Sequence, residues 1–120
     1  MILNNEILAK YVGGQLEVQN KIEKYMFRGE INSATLNGTK VEIGLEWFAK
    51  GEGYPPFPTR WVADKRKVYK VDLQIYSVSD IGPGSEGSNR ICLQSGITNE
   101  LTVLFPPNGS KLDRSKVQPE

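Results

Sequence analysis

The strongest constraint on the fold is a stretch of alternating apolar and polar residues that directly follows an Asn-Gly turn. The stretch covers residues 41–50, and the turn before it contains Asn37 and Gly38. Alternate side chains of an extended strand point to opposite faces, so one apolar face is predicted. That face comprises Val41, Ile43, Leu45, Trp47 and Ala49. Because a type I′ turn needs positive φ at both central residues, an Asn-Gly pair favours a β-hairpin here. The pattern predicts an antiparallel β domain.

The remaining periodicity adds one short helix and several short strands. Apolar residues at helical spacing over residues 3–11 predict a helix that ends at Gly13 and Gly14. Period-two alternation predicts strands over residues 15–19, 25–35, 41–50, 68–78, 90–94 and 101–105. Gly29 lies inside the second of these strands, where glycine often marks bending or close backbone approach.

Stretches rich in glycine and proline indicate where loops interrupt the strands of this 120-residue chain. A long Gly/Pro/aromatic loop over residues 51–60 interrupts the strands, and a flexible loop is predicted over residues 82–88. A chain of this length is sufficient for one hydrophobic core but not for two. We therefore expect a single β-barrel domain over residues 1–107, followed by a loose polar C-terminal tail over residues 108–120.

The first part of the chain resembles a known family of small barrels. The resemblance covers residues 3–48 and rests on two segments, Ile-Leu-Ala-Lys-Tyr-Val-Gly-Gly-Gln-Leu-Glu-Val over residues 7–18 and Tyr-Met-Phe-Arg-Gly-Glu-Ile over residues 25–31. They look like the opening of an Sm-like or SH3-like barrel, with a short helix, a strand, and a bent strand carrying a glycine two residues before an aliphatic. The resemblance implies a mainly β fold, a small antiparallel β-barrel of five or six strands with a short N-terminal helix. The Sm family reads RNA with an acidic residue and an asparagine in the turn after the bent strand. This chain departs from that pattern, because Thr35 and Thr39 stand near those places and Asn37 lies in a tight turn. An OB-fold is equally compatible with short strands punctuated in this way.

Composition narrows the classes of function. The net charge is only +1, so any attraction to nucleic acid must come from local clustering. The chain has no histidine and no recognisable catalytic motif, so we expect a binding protein rather than an enzyme, with no metal and no cofactor. A lone Cys92 excludes an internal disulfide and fits a cytoplasmic location, where it is expected to be a buried hydrophobe. No apolar stretch approaches the roughly 20 residues of a membrane span.

The best candidate for a binding segment lies in the middle of the chain. Residues 60–70 hold five cations and one anion, a local charge of +4, with aromatic residues interleaved. Cations follow a phosphate backbone while aromatic rings stack unpaired bases, so this combination predicts binding of single-stranded nucleic acid, RNA in particular. The predicted phosphate contacts are Arg60, Lys65, Arg66 and Lys67, and the predicted stacking residues are Trp61 and Tyr69.

Two other interpretations of the same region remain open. Lys65, Arg66 and Lys67 could form a solvated hairpin turn, with Trp61 and Phe57 covering one open end of the barrel. Alternatively, a rigid aromatic-proline segment could dock with another protein in an assembly. That predicted protein-interaction segment consists of Tyr54, Pro55, Pro56 and Phe57.

Overall fold

One β-sheet organises the part of the chain that the computed structural model describes, namely residues 3–53, 58–83 and 89–119. Within these ranges the chain forms a short helix, α1 (Asn5–Ala9), and nine strands. The strands are β1 (Gln15–Asn20), β2 (Tyr25–Asn37), β3 (Lys40–Glu52), β4 (Arg60–Asp64), β5 (Val68–Asp72), β6 (Tyr76–Pro83), β7 (Asn89–Ser95), β8 (Glu100–Phe105) and β9 (Val117–Gln118). No helix in the described ranges is long and apolar enough to cross a membrane.

The sheet follows the order β6-β7-β8-β1-β2-β3-β4-β9, and β5 pairs with β3 beside this path. The long strand β3 serves two partners, because β5 pairs with its first half and β4 with its second half. A mainly β fold with a short N-terminal helix is therefore confirmed. The predicted small barrel of five or six strands is not confirmed, since the nine described strands form an open sheet that is not closed into a barrel. Strand β4 follows the predicted loop of residues 51–60, in a stretch for which no strand was predicted, and β9 lies in the predicted tail.

The predicted strand over residues 68–78 is divided by a turn. The Asp72 carboxylate accepts a hydrogen bond from the Gln74 N–H at 2.9 Å, and the Ile75 N–H donates to the Asp72 carbonyl at 3.1 Å. Aspartate commonly forms such a turn through its own side chain. Strand β5 consequently ends at Asp72, and β6 leaves in a new direction to pair with β7.

A β-bulge reverses the faces of β3 partway along the strand. Glu30 pairs with Trp47 and Ile31 pairs with Leu45, which leaves Glu46 as an extra residue. An extra residue shifts every later side chain to the opposite face. Phe48 therefore joins the core formed by Val41, Ile43 and Leu45, among other residues. The prediction that Trp47 and Ala49 share the face of Val41 is wrong for this reason.

Gly29 on β2 allows the chain to pack closely against Phe48. A Cβ atom at Gly29 would lie 2.8 Å from Phe48 Cδ1 and 2.9 Å from the Trp47 carbonyl oxygen. Both distances are too short for any side chain. The predicted close approach at this glycine is confirmed, and the Phe48 ring stacks on Phe27 with centroids 5.0 Å apart and planes 3° apart.

The hydrophobic core lies on one side of the curved sheet. Its fully buried members include Leu8 of α1, Leu16 of β1, Ile43 of β3 and Leu93 of β7. A smaller cluster occupies the other face, where Cys92, Val103 and Phe105 are buried. Cys92 is buried, as predicted, and this burial raises the pKa of its thiol.

The C-terminal segment is docked on the sheet. The Arg28 guanidinium, which lies over the Phe105 ring at 5.0 Å, donates to the Ser110 carbonyl at 3.0 Å. Further along, the Leu112 backbone bonds to the side chain of Gln15, and β9 pairs in parallel with β4. Residues 110–118 are thus held at several points, unlike the loose tail expected from their polarity.

Candidate binding surface

The six residues predicted to bind nucleic acid do not form one exposed surface. Tyr69 is only 7% exposed and its hydroxyl donates to Glu100, so its ring belongs to the core and is not free to stack a base. Arg60 is exposed, but its Nε and Nη2 donate to Glu52 Oε1 at 3.0 and 2.5 Å. Trp61 is half-buried in β4, opposite Gly51.

The other three cations remain together and exposed in the connection between β4 and β5. The Asp64 carboxylate accepts from the Arg66 N–H at 2.8 Å, which fixes the start of this connection. The Leu45 N–H donates to the Lys67 carbonyl at 2.8 Å and ties the connection to β3. Lys65, Arg66 and Lys67 are therefore presented to solvent from an anchored backbone.

Arg66 lies above a cluster of aromatic rings. Its guanidinium carbon is 5.5 Å from the centroid of Phe48, 5.7 Å from that of Phe27 and 6.0 Å from that of Tyr69. Each such contact contributes on the order of 0.5–1 kcal/mol at an exposed position. The rings hold the guanidinium close to the sheet, and the side chain as a whole remains exposed.

A pocket of about 290 Å³ lies between this connection and the C-terminal segment. Its charged lining consists of Lys67, Arg114 and Asp64, and its walls include Trp47 and Phe48. The Lys67 ammonium also donates to the Glu46 carbonyl at 3.3 Å. Two cations from distant parts of the sequence therefore line one concave surface that has aromatic walls.

Arg114 is the residue of this pocket that the sequence did not indicate. It lies in a 3₁₀ turn, Arg114–Lys116, which Asp113 caps by accepting from the Ser115 N–H at 3.0 Å. The parallel pairing of β9 with β4 brings this turn beside Lys67. A two-residue strand has no periodicity to detect, so nothing in the sequence pattern linked residues 114 and 67. We call Lys65, Arg66, Lys67 and Arg114 the basic surface.

A second cluster of polar groups surrounds Glu100 at the start of β8. Its carboxylate accepts hydrogen bonds from three tyrosine hydroxyls: Tyr25 donates to Oε2 at 2.5 Å, Tyr76 to Oε1 at 2.5 Å, and Tyr69 also to Oε1. Burial disfavours the charged form of Glu100, but the hydrogen bonds from the three tyrosines, together with the positive charge of Arg66, more than offset it and lower the pKa of the carboxyl. Glu100 is thus ionised at neutral pH.

The same arrangement keeps the tyrosines protonated. Burial, together with the hydrogen bond to Glu100, raises the pKa of Tyr25 and that of Tyr76 to about 12. The pKa of Tyr69 is raised further by the same causes. Within the described residues the ion pairs join Arg28 to Glu17 and Arg60 to Glu52, so Glu100 has no cation at ion-pair distance there.

Two further predictions concern the aromatic-proline segment and metal binding. The protein-interaction segment, Tyr54, Pro55, Pro56 and Phe57, lies outside the described residues, so its prediction stands untested. In the described part of the chain, no group of three or more acidic or cysteine side chains is arranged to hold a metal ion.

Comparisons of the chain with models of protein families, with curated proteins and with solved structures found no match.

Proposed function

We propose that the chain is a non-catalytic binding module that binds single-stranded nucleic acid, RNA in particular, at the basic surface. The observation that carries the proposal is the pocket between β4 and the C-terminal segment, where Lys67 and Arg114 line one concavity of about 290 Å³. Two cations on one concave surface can hold adjacent phosphates, and arginine can bind a phosphate through two parallel hydrogen bonds.

The residues beside the pocket are placed to contact the rest of a bound nucleic-acid strand. Lys65 and Arg66 extend the positive charge beyond the pocket, and an exposed arginine guanidinium is a flat group on which an unpaired base can stack. Trp61, half-buried in β4, keeps its proposed stacking role. Tyr69 has no part in it because its ring is buried.

The positive charge that attracts a phosphate backbone is concentrated at this surface and is not a property of the whole chain. The whole chain carries only +1, whereas residues 64–67 and 113–116 together hold five cations and two anions. Binding through few phosphate contacts should therefore be of modest affinity, and it should weaken with added salt only in proportion to the number of those contacts.

The test is fluorescence anisotropy of labelled single-stranded RNA and DNA at about 50 and 200 mM salt, the range over which phosphate contacts reveal themselves. The double variant Lys67→Ala/Arg114→Ala removes both pocket cations. Its slope of log K against log salt should be shallower by about 1.4, because each contact with a single strand contributes about 0.7.

A matched control carries the same change in charge at two lysines that do not line the pocket. The double variant Lys10→Ala/Lys40→Ala alters two exposed lysines, and Lys40 is about 23 Å from Trp47 at the usual rise of a strand. This control should bind almost as the unmodified chain does. Equal losses in both double variants, or no binding by the unmodified chain at either salt concentration, would show that the proposal is wrong.

A further inference from the structure

Two isoleucines are exposed at the tips of adjacent hairpin turns. Ile22 lies between β1 and β2 and is 70% exposed, and Ile97 lies between β7 and β8 and is 73% exposed. Both line the same concavity of about 480 Å³, so the two apolar side chains flank one surface. Apolar side chains of this size at turn tips have no role in the core.

The two turns are fixed to each other and internally. The buried Asn20 side chain donates to the Thr98 carbonyl at 2.6 Å and accepts from the N–H groups of Ile22 and Glu23 at 3.0 and 2.9 Å. In the other turn, Ser95 Oγ accepts from the Ile97 and Thr98 N–H groups at 3.2 and 3.1 Å. The backbone at both isoleucines is thus held in place, which lowers the entropic cost of binding a partner there.

The interior of the same concavity is acidic and aromatic. Tyr25, Tyr76 and Glu100 line it, together with Glu23, and none of the described lining residues is a cation. Glu100 Oε1 accepts two tyrosine hydroxyls, whereas Oε2 accepts one. A carboxylate oxygen has two lone pairs, so Oε2 retains capacity for one further donor.

We propose that this concavity binds a lysine side chain of a partner polypeptide. The ammonium group donates to Glu100 Oε2 and to the hydroxyl oxygens of Tyr25 and Tyr76, while the aliphatic stem and its apolar neighbours contact Ile22 and Ile97. A compact ammonium with three donors matches an ionised carboxylate beside aromatic rings. Charge complementarity selects this occupant, since Glu23 and Glu100 repel a phosphate backbone. The inference concerns a surface other than the basic surface and does not depend on the proposed nucleic-acid binding.

The test uses three capped tripeptides and the full chain. Acetyl-Leu-Lys-Leu-amide, its norleucine counterpart and its acetyl-lysine counterpart are titrated while backbone amide chemical shifts are followed by NMR. The lysine peptide should shift the amides of residues 22–25 and 97–100 and bind at least tenfold more tightly than the other two. The norleucine peptide keeps the apolar stem and loses the charge, so it isolates the contribution of the ammonium group.

Variants test separately the contribution of the Glu100 carboxylate and that of the two isoleucines. Glu100→Gln should weaken binding of the lysine peptide about tenfold, whereas Glu6→Gln, an equivalent change on α1, should leave it unaltered. Because Glu100→Gln also disturbs three hydrogen bonds of the fold, the exposed pair Ile22→Ser/Ile97→Ser provides a second test, with Val12→Ser/Val68→Ser as its control. The isoleucine pair should lose affinity while the valine pair retains it.

Three results would overturn the inference. They are equal binding of the lysine and norleucine peptides, chemical-shift changes located away from the two turns, and saturable displacement of the lysine peptide by single-stranded RNA at residues 22–25. The last result would assign the concavity to a nucleobase. Failure of RNA to bind the basic surface would contradict the proposed function alone and leave this outcome unaffected.

Discussion

The side-chain amide of Gln15 hydrogen-bonds both backbone groups of Leu112, with Nε2 donating to the carbonyl at 3.0 Å and Oε1 accepting from the N–H at 2.7 Å. Gln15 is buried, and its Oε1 also accepts from Arg28 Nη2 at 2.6 Å. One side chain therefore satisfies both backbone hydrogen-bonding groups of Leu112, as a neighbouring strand does in a sheet. This contact anchors the segment two residues before the turn that carries Arg114.

Replacing Gln15 by alanine should release the C-terminal segment without unfolding the sheet. The change leaves the Leu112 groups without their partner, and the loss of stability should be about 1–2 kcal/mol. Hydrogen exchange at the Leu112 amide should accelerate, and affinity for single-stranded RNA should fall because Arg114 is no longer held beside Lys67. Gln19→Ala in the same strand is the control. Unchanged protection at Leu112 would contradict the anchoring role of Gln15.

Gly29→Ala should destabilise the fold by about 1–3 kcal/mol, as expected when extra volume enters a filled site. The added methyl group meets the Phe48 ring and a backbone oxygen of Trp47, and the backbone oxygen cannot move aside independently. Urea unfolding measures the effect. Gly96→Ala is the control, since a Cβ there meets nothing within 4 Å. Equal stability of the two variants would show that the approach of Phe48 to β2 is looser than described.

Trp61→Ala separates a packing role from a binding role. The side chain is half-buried, so we expect a cost of about 1–2 kcal/mol rather than the ~3–5 kcal/mol of a fully buried aromatic. Phe48→Ala, which truncates a ring that is 1% exposed, should show the larger loss. Thermal unfolding measures both. A Trp61→Ala cost as large as that of Phe48→Ala would make Trp61 a core residue and remove it from the proposed stacking surface.

The tyrosines around Glu100 predict a loss of stability at alkaline pH. Their pKa is 10.0 in the unfolded chain, and it is raised to about 12 in Tyr25 and Tyr76 of the folded chain. A raised pKa favours folding below pH 10, and this contribution is lost as the pH rises to about 12, because the unfolded state releases its protons first. Urea unfolding across this range, with tyrosinate absorbance, measures both effects. Tyr25→Phe/Tyr76→Phe should show a shallower decline, and an identical slope would contradict the assignment.

Local patterns in the sequence were sufficient to predict the helix and the first three strands. Asn4 accepts from the Ile7 N–H at the start of α1, and β1, β2 and β3 begin close to where the alternation starts. The predicted faces fail after Glu46, because alternation counts residues while a bulge depends on how two strands pair. The closure expected of a small barrel depends on pairings between distant strands, which no local pattern contains.

The candidate surfaces were less predictable than the strands. The exposed cations at residues 65–67 could be located from composition, but the burial of Tyr69 follows from its pairing with Ile43 and its contact with Glu100. The cluster around Glu100 joins residues from four strands, so spacing along the chain carries no sign of it. Arg114 could not be predicted for the same reason, since only the β4–β9 pairing brings it near Lys67.

The position of β1 between β2 and β8 has a consequence for synthesis on the ribosome. Strand β2 can cover one edge of β1 almost at once, but the other edge pairs with β8, in which Phe105 is the partner of Gln15. At the usual rate of translation, roughly ten seconds pass before that partner emerges. During this interval the exposed edge can pair with a strand of another nascent chain. The order in which the strands leave the ribosome therefore determines how long each new chain is open to mispairing.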